Sequence, residues 1–178
     1  MAHGSPDTCE RNALPQGFAV HGMEGAAPQL RRITDATDGA AYIVERIRHL
    51  HDQGVPYSEM LILYALRRYE GLDGELPLFL RDALEEHGIL ASWPARDAQS
   101  KAGWDITTDS VTISTVHSMK GMDAEAVFVM GLDALQTRHA PDPNVLAYVA
   151  CTRARRFLEI LYIKDTPLIA SMQKAANI

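Results

Sequence analysis

Between Asp38 and Leu50 the apolar residues recur at helical spacing, with Ala40, Ile43, Val44, Ile47 and Leu50 on one stripe. Thr37 stands where it can cap the start, and Gly54 and Pro56 mark the stop. The pattern predicts an amphipathic helix. Met60-Leu61-Ile62-Leu63-Tyr64 comes next as an unbroken apolar run, short enough for a strand covered on both faces. Pro77 suits the first turn of a second helix, whose stripe is Leu76, Leu80 and Leu84, widened by Phe79 and Ala83 and ended by Gly88. Ile89–Trp93 predicts a short strand, and residues 94–108, polar and without period, predict a loop. Val111, Ile113 and Thr115 alternate with Thr112 and Ser114 as in a strand, and residues 126–130 read as a second buried one. A last helix is expected over Asn144–Arg155 and a last strand over Leu158–Ile163.

This order of elements, with strands apolar throughout, predicts an α/β fold in which a mostly parallel sheet lies between two helix layers. The carboxyl ends of the strands then share one edge. Residues 1–30 mix Gly, Pro, His and Asp without either period, and they predict a flexible N-terminal arm preceding a domain over 31–178. They lack the basic start and apolar centre of a secretory signal.

At 178 residues, with 47% apolar and 22% charged positions, the chain is long enough to bury a core without a staple. No apolar run approaches the ~20 residues of a membrane span, so no membrane partner is expected. Cys9 and Cys151 fall in no ligand spacing, which predicts a cytoplasmic setting and no metal site. His3, Cys9 and His21 are too widely spaced to cage a metal compactly. A formal net charge of −6 excludes a globally basic coat for nucleic acid while leaving room for a local arginine patch.

Ligands of open parallel sheets gather beyond the carboxyl ends of the strands, so the residues just past the apolar runs are the ones to weigh. After the strand ending at Thr115 comes Val116-His117-Ser118-Met119-Lys120-Gly121-Met122-Asp123. Its hydroxyls and imidazole can donate to phosphate oxygens, Lys120 brings a point charge, Gly121 admits close backbone approach, and Asp123 can accept a ribose hydroxyl. A solvated turn is the plain alternative. Thr152-Arg153-Ala154-Arg155-Arg156 ends the expected last helix, where cations also suit the helix dipole. A guanidinium held there is equally what phosphoryl transfer requires, and Arg153 is the candidate. Arg67-Arg68, just past Met60–Tyr64, is the third place, with a surface pair as its alternative.

The chain has no Gly-x-x-x-x-Gly-Lys-Ser/Thr loop and no Gly-x-Gly-x-x-Gly fingerprint. It has no Gly-x-Ser-x-Gly elbow, and Phe157 stands where a Cys-x5-Arg phosphatase loop starting at Cys151 needs arginine. His49 and His51, two apart on a helix, point in different directions and form no metal pair. A small-molecule enzyme with its own nucleophile or cofactor loop is therefore not readable here.

Val111–Asp123, reading VTISTVHSMKGMD and continuing into AVFVMGL, resembles motif V of the UvrD/Rep-like superfamily 1 DNA helicases. Leu146–Arg155, reading LAYVACTRAR before the strand LEILYI, resembles motif VI of the same family at the expected distance downstream. MLILYALRR over Met60–Arg68 resembles the motif IV strand. The resemblance spans Leu30 to Ile163 and implies the second RecA-like motor domain, of P-loop NTPase type but without a Walker A loop. Too few residues separate Arg68 from Val111 for the large inserted subdomain of the best-known members.

By position, the resemblance implies that Arg153 reaches the γ-phosphate of ATP held, with Mg2+, mainly by an N-terminal ATP-binding domain. It implies that Lys120, Gly121, Asp123, Arg67 and Arg68 serve nucleotide binding, and that Thr115, His117 and Ser118 lie against single-stranded DNA. Asp123 stands where the family usually has glutamate near the nucleotide sugar, and Ala65 stands where it commonly has arginine after the tyrosine. The function so implied is the C-terminal motor domain of an ATP-dependent DNA helicase or translocase, inactive toward ATP by itself. A non-catalytic helicase-like module that binds DNA or a protein partner is the alternative.

Overall fold

The computed structural model describes residues 25–97, 100, 105, 108–118, 122–135 and 142–176. Six strands form one sheet in the order β1-β6-β5-β2-β4-β3, and every neighbouring pair is parallel. The strands are β1 (Gln29–Arg32), β2 (Met60–Tyr64), β3 (Ala91–Ser92), β4 (Val111–Thr115), β5 (Ala124–Met130) and β6 (Ala154–Tyr162). The helices are α1 (Ala36–Asp52), α2 (Leu76–Glu86), α3 (Pro143–Cys151) and α4 (Pro167–Ala176).

The unbroken run of β2 reflects its place inside the sheet, between β5 and β4. Met60, Ile62 and Tyr64 pack into one core with Ile43 and Ile47 of α1 and Leu80 and Leu84 of α2. Leu61 and Leu63 point the other way, into a second core with Leu146, Ala147 and Ala150 of α3. With both faces covered there is no polar position to alternate. Each such fully buried aliphatic side chain contributes about 1.5–3 kcal/mol.

The cap of α1 lies earlier than the sequence pattern suggests. Asp35, not Thr37, is the N-cap, and its Oδ1 accepts from the Thr37 and Asp38 amides at 2.8 and 3.0 Å. A carboxylate there also meets the positive end of the helix dipole. At the other end Gly54 adopts φ 95°, which lets Val55 N turn back to the Leu50 carbonyl at 3.1 Å.

Several elements depart from expectation. Strand β1 begins at Gln29, inside the stretch expected to be an arm, because its backbone pairs with β6 in register Gln29↔Glu159. Helix α3 stops at Cys151 rather than reaching Arg155. Thr152 Oγ1 donates to the Val149 carbonyl at 3.0 Å, and Ala154 already pairs with Ala124 as the start of β6. The expected strand Ile89–Trp93 shrinks to Ala91–Ser92 at the sheet margin, and α4 has no counterpart in the periodicity at all.

Candidate functional site

Because all strands run the same way, the sheet has two distinct rims. The carboxyl rim carries the segments that leave Tyr64, Thr115, Met130 and Tyr162; the amino rim carries the segments that enter Met60, Val111, Ala124 and Ala154. The candidate residues divide between the two, which corrects the expectation of a single shared edge.

Thr115, His117, Ser118, Arg67 and Arg68 lie at the carboxyl rim. Thr115 Oγ1 donates to Ser118 Oγ at 2.7 Å and accepts from the Ser118 amide at 3.0 Å, closing a tight turn on which His117 and Ser118 are exposed. Buried Val116 anchors this turn, its amide donating to the Tyr64 carbonyl at 3.3 Å. Arg67 reaches the Ala95 carbonyl at 3.2 Å, lies 5.5 Å from the Trp93 ring centroid and faces Glu75 at 3.6 Å. Arg68 is exposed, and no ion pair holds it among the described residues. Lys120 and Gly121 lie outside the described residues.

Asp123 and Arg153 lie at the amino rim, each one residue ahead of a strand. Their neighbours Ala124 and Ala154 are paired, and Ala124 N donates to the Arg153 carbonyl at 2.9 Å. This fixes the two side chains next to each other, with Arg153 Nη1 3.1 Å from Asp123 Oδ1. Arg153 does not sit on a helix end, as the predicted helix had it, but in the turn between α3 and β6. Its Nε donates to the Val149 carbonyl at 3.2 Å, Nη1 lies 3.5 Å from the Met122 carbonyl, and Nη2 donates to Thr152 Oγ1 at 3.2 Å. One N–H of Nη2 has no partner among the described residues, so the group retains a donor for an incoming anion.

The other arginines of the run are also spoken for. Arg155 pairs with Glu59 at 2.5 Å and Arg156 with Glu125 at 3.0 Å. Sequence reasoning singled out the three arginines but missed their partners. Alternation along β6 and the acids that precede or open β2 and β5 were the available signal. It gave no role to Thr152 or Met122, whose oxygens help orient Arg153.

Two of the grooves among the described residues lie elsewhere, one of about 290 Å³ lined by Tyr42, Arg46, Phe157 and Glu159, and one of about 390 Å³ by Arg81, Leu90, Trp93 and Arg96. Arg153, Asp123, Thr115 and Arg68 line neither of them.

The six-stranded parallel sheet with a helix layer on each face is an α/β fold. Residues 110–160 match the family described as UvrD-like helicase C-terminal domain, a segment that includes Thr115–Ser118, Asp123 and Arg153 but neither Arg67 nor Arg68. This bears out the family likeness read from the sequence. The chain is 28% identical over 133 residues to a probable DNA helicase of Mycoplasma pneumoniae, covering 68% of this chain and 21% of that protein. It is 37% identical over 65 residues to a probable DNA helicase II homolog of Mycoplasma genitalium, covering 30% of this chain and 9% of that protein. The chain thus spans about a fifth or less of the length of these relatives. The C-terminal domain of a possible DNA helicase from Lactobacillus strain WCFS1 shares the fold, with TM-score 0.61 at 16% identity over 85% of this chain and 84% of that one. No helix among the described residues is long and apolar enough to cross a membrane.

Proposed function

We propose that this chain acts as the second motor domain of an ATP-dependent DNA helicase or translocase. In this reading the folded domain extends from β1 to α4, and ATP with Mg2+ is held mainly by an N-terminal RecA-like domain of the same protein. The observation that carries the reading is the fixation of Arg153. Backbone and hydroxyl acceptors set its direction, it is 18% exposed, and one N–H has no partner among the described residues. A rigid planar fork of this kind needs no reorganisation to meet charge developing on a transferring phosphoryl group. The residues present therefore fit a phosphate at the amino rim.

Ser118, its hydroxyl held in place by Thr115, offers a donor, and Arg68 a charge, to the backbone of single-stranded DNA at the opposite rim. This reading places no nucleotide role on Arg67 or Arg68, which lie at the rim opposite Arg153. Closure of the partner domain on Arg153 would link hydrolysis to stepping. The chain lacks a Walker loop and is expected to be inactive toward ATP without that partner.

The test joins this chain to its ATP-binding domain and measures DNA-stimulated ATP turnover. Arg153→Ala should lower kcat by about 10³-fold or more, as removal of such a finger does; unchanged turnover would sink the assignment. The second reading, a non-catalytic module binding DNA or a protein, is favoured by Ala65 and by the pairing of Arg153 with Asp123. It predicts DNA binding without any ATP turnover in the joined protein.

A further inference from the structure

We infer that Asp123 is the resident counter-ion of Arg153, an anion that occupies the guanidinium until a phosphate takes its place. The inference rests on the assignment of Arg153 made above. Three neutral oxygens already orient this side chain: the Val149 carbonyl, the Met122 carbonyl and Thr152 Oγ1. None of them balances its charge. Among the described residues Asp123 alone does so, at 3.1 Å, and the pair is lopsided, with the carboxylate side chain 51% exposed against 18% for the arginine.

That asymmetry decides which partner yields. Arg153 is tied to the last turn of α3 by the Val149 carbonyl, whereas the Asp123 carboxylate has no other hydrogen bond among the described residues. Asp123 can turn into water without moving Ala124, which is buried and fixed to the Arg153 carbonyl. Exchange of one anion for another then leaves the guanidinium where it stands. Among the described residues Arg155 and Arg156 are built differently, each with only a carboxylate as its side-chain acceptor. The resemblance puts an acid at this position against the nucleotide sugar; the geometry puts this shorter one on the guanidinium. Asp123 is thus a positioning residue that sets how readily Arg153 accepts phosphate.

The experiment tracks the Arg153 Nε resonance by NMR in this 178-residue chain during titration with inorganic triphosphate, assigned with Arg153→Lys. Asp123→Asn keeps the shape and removes the charge. It should lower the midpoint of the Arg153 response by about two- to fivefold, the range expected for loss of a half-exposed pair. Asp123→Glu should restore the wild-type midpoint. A merely structural role would shift the melting temperature of Asp123→Asn and leave this midpoint unmoved, which overturns the inference. No Arg153 response in either chain overturns it as well. Failure of the finger assignment reads out separately, as unchanged ATP turnover of Arg153→Ala in the joined protein.

Discussion

Tyr69 donates its hydroxyl to the buried carboxylate of Asp133, 3.0 Å from Oδ1 and 3.2 Å from Oδ2. The same carboxylate accepts from the amides of Ile163 at 2.7 Å and Lys164 at 3.0 Å. One acid therefore ties together the segments leaving β2, β5 and β6. Burial, reinforced by Asp133, holds the Tyr69 hydroxyl well above its ordinary range, so it stays a donor.

Asp133→Ala strands those donors in a place that is 5% exposed. It should cost about 2–4 kcal/mol, since each buried donor left unpaired carries its desolvation penalty. Tyr69→Phe leaves the two amide bonds in place and should cost about 1–2 kcal/mol. Urea denaturation of both variants checks the order.

Glu159, 2% exposed on β6, accepts from Tyr42 Oη at 2.7 Å and Arg46 Nε at 2.5 Å. Arg46→Ala leaves a buried carboxylate without its counter-charge and should cost about 3–5 kcal/mol. Burial and then the bond to Glu159 push the Tyr42 hydroxyl up to about 12 from 10.0. Its folded value is raised, so its contribution is complete below pH 10 and is lost as pH rises through about 12. Tyr42→Phe should flatten that alkaline loss, read as denaturation midpoints across the same window.

Single-stranded DNA at the carboxyl rim should feel Arg68 as charge and the Ser118 hydroxyl, oriented by Thr115, as a hydrogen-bonding group. Arg68→Ala should make the slope of log K against log salt shallower by about 0.7, the value for one phosphate on a single strand. Thr115→Ala should weaken binding and leave the slope alone. Anisotropy with a labelled oligonucleotide at several salt concentrations separates the two, and unchanged binding in both variants removes DNA from this rim.

Burial alone pushes the Cys151 thiol up to about 11. At pH 8 its thiolate fraction is then about a thousandth, so alkylation in a Cys9→Ser chain should be slower than for a free small thiol by about two orders of magnitude. The rate should climb about tenfold per pH unit up to that value. Rapid labelling at neutral pH would show the thiol to be open.

Periodicity reveals the elements whose burial is complete. The stripe of α1, the stripe of α2 and the runs of β2 and β5 are apolar because a core lies against them, and they are readable for that reason. Strand β1 is not, because QLRR sits at the sheet margin with one partner and is held by backbone pairing, which leaves no side-chain signature. Helix α4 buries Ile169 fully and only partly Leu168 and Met172, too weak a stripe beside Pro167 and Ser171. The pattern puts the end of α3 too late because Ala154, Arg155 and Arg156 suit helix as well as strand; only pairing with β5 decides. The site divides similarly. The residue types at 115–123 and 152–156 are visible in the sequence, but the rule that ligands gather past strand ends misplaces Arg153 and Asp123, which precede strands.

Three positive side chains crowd the beginning of β6, yet each is matched one for one by a negative group from a different stretch: Asp123, Glu59 and Glu125. Seen from a distance these three pairs cancel. An anion drifting toward them gains no long-range pull from this trio, so selection among the three guanidinium groups depends on fit at contact.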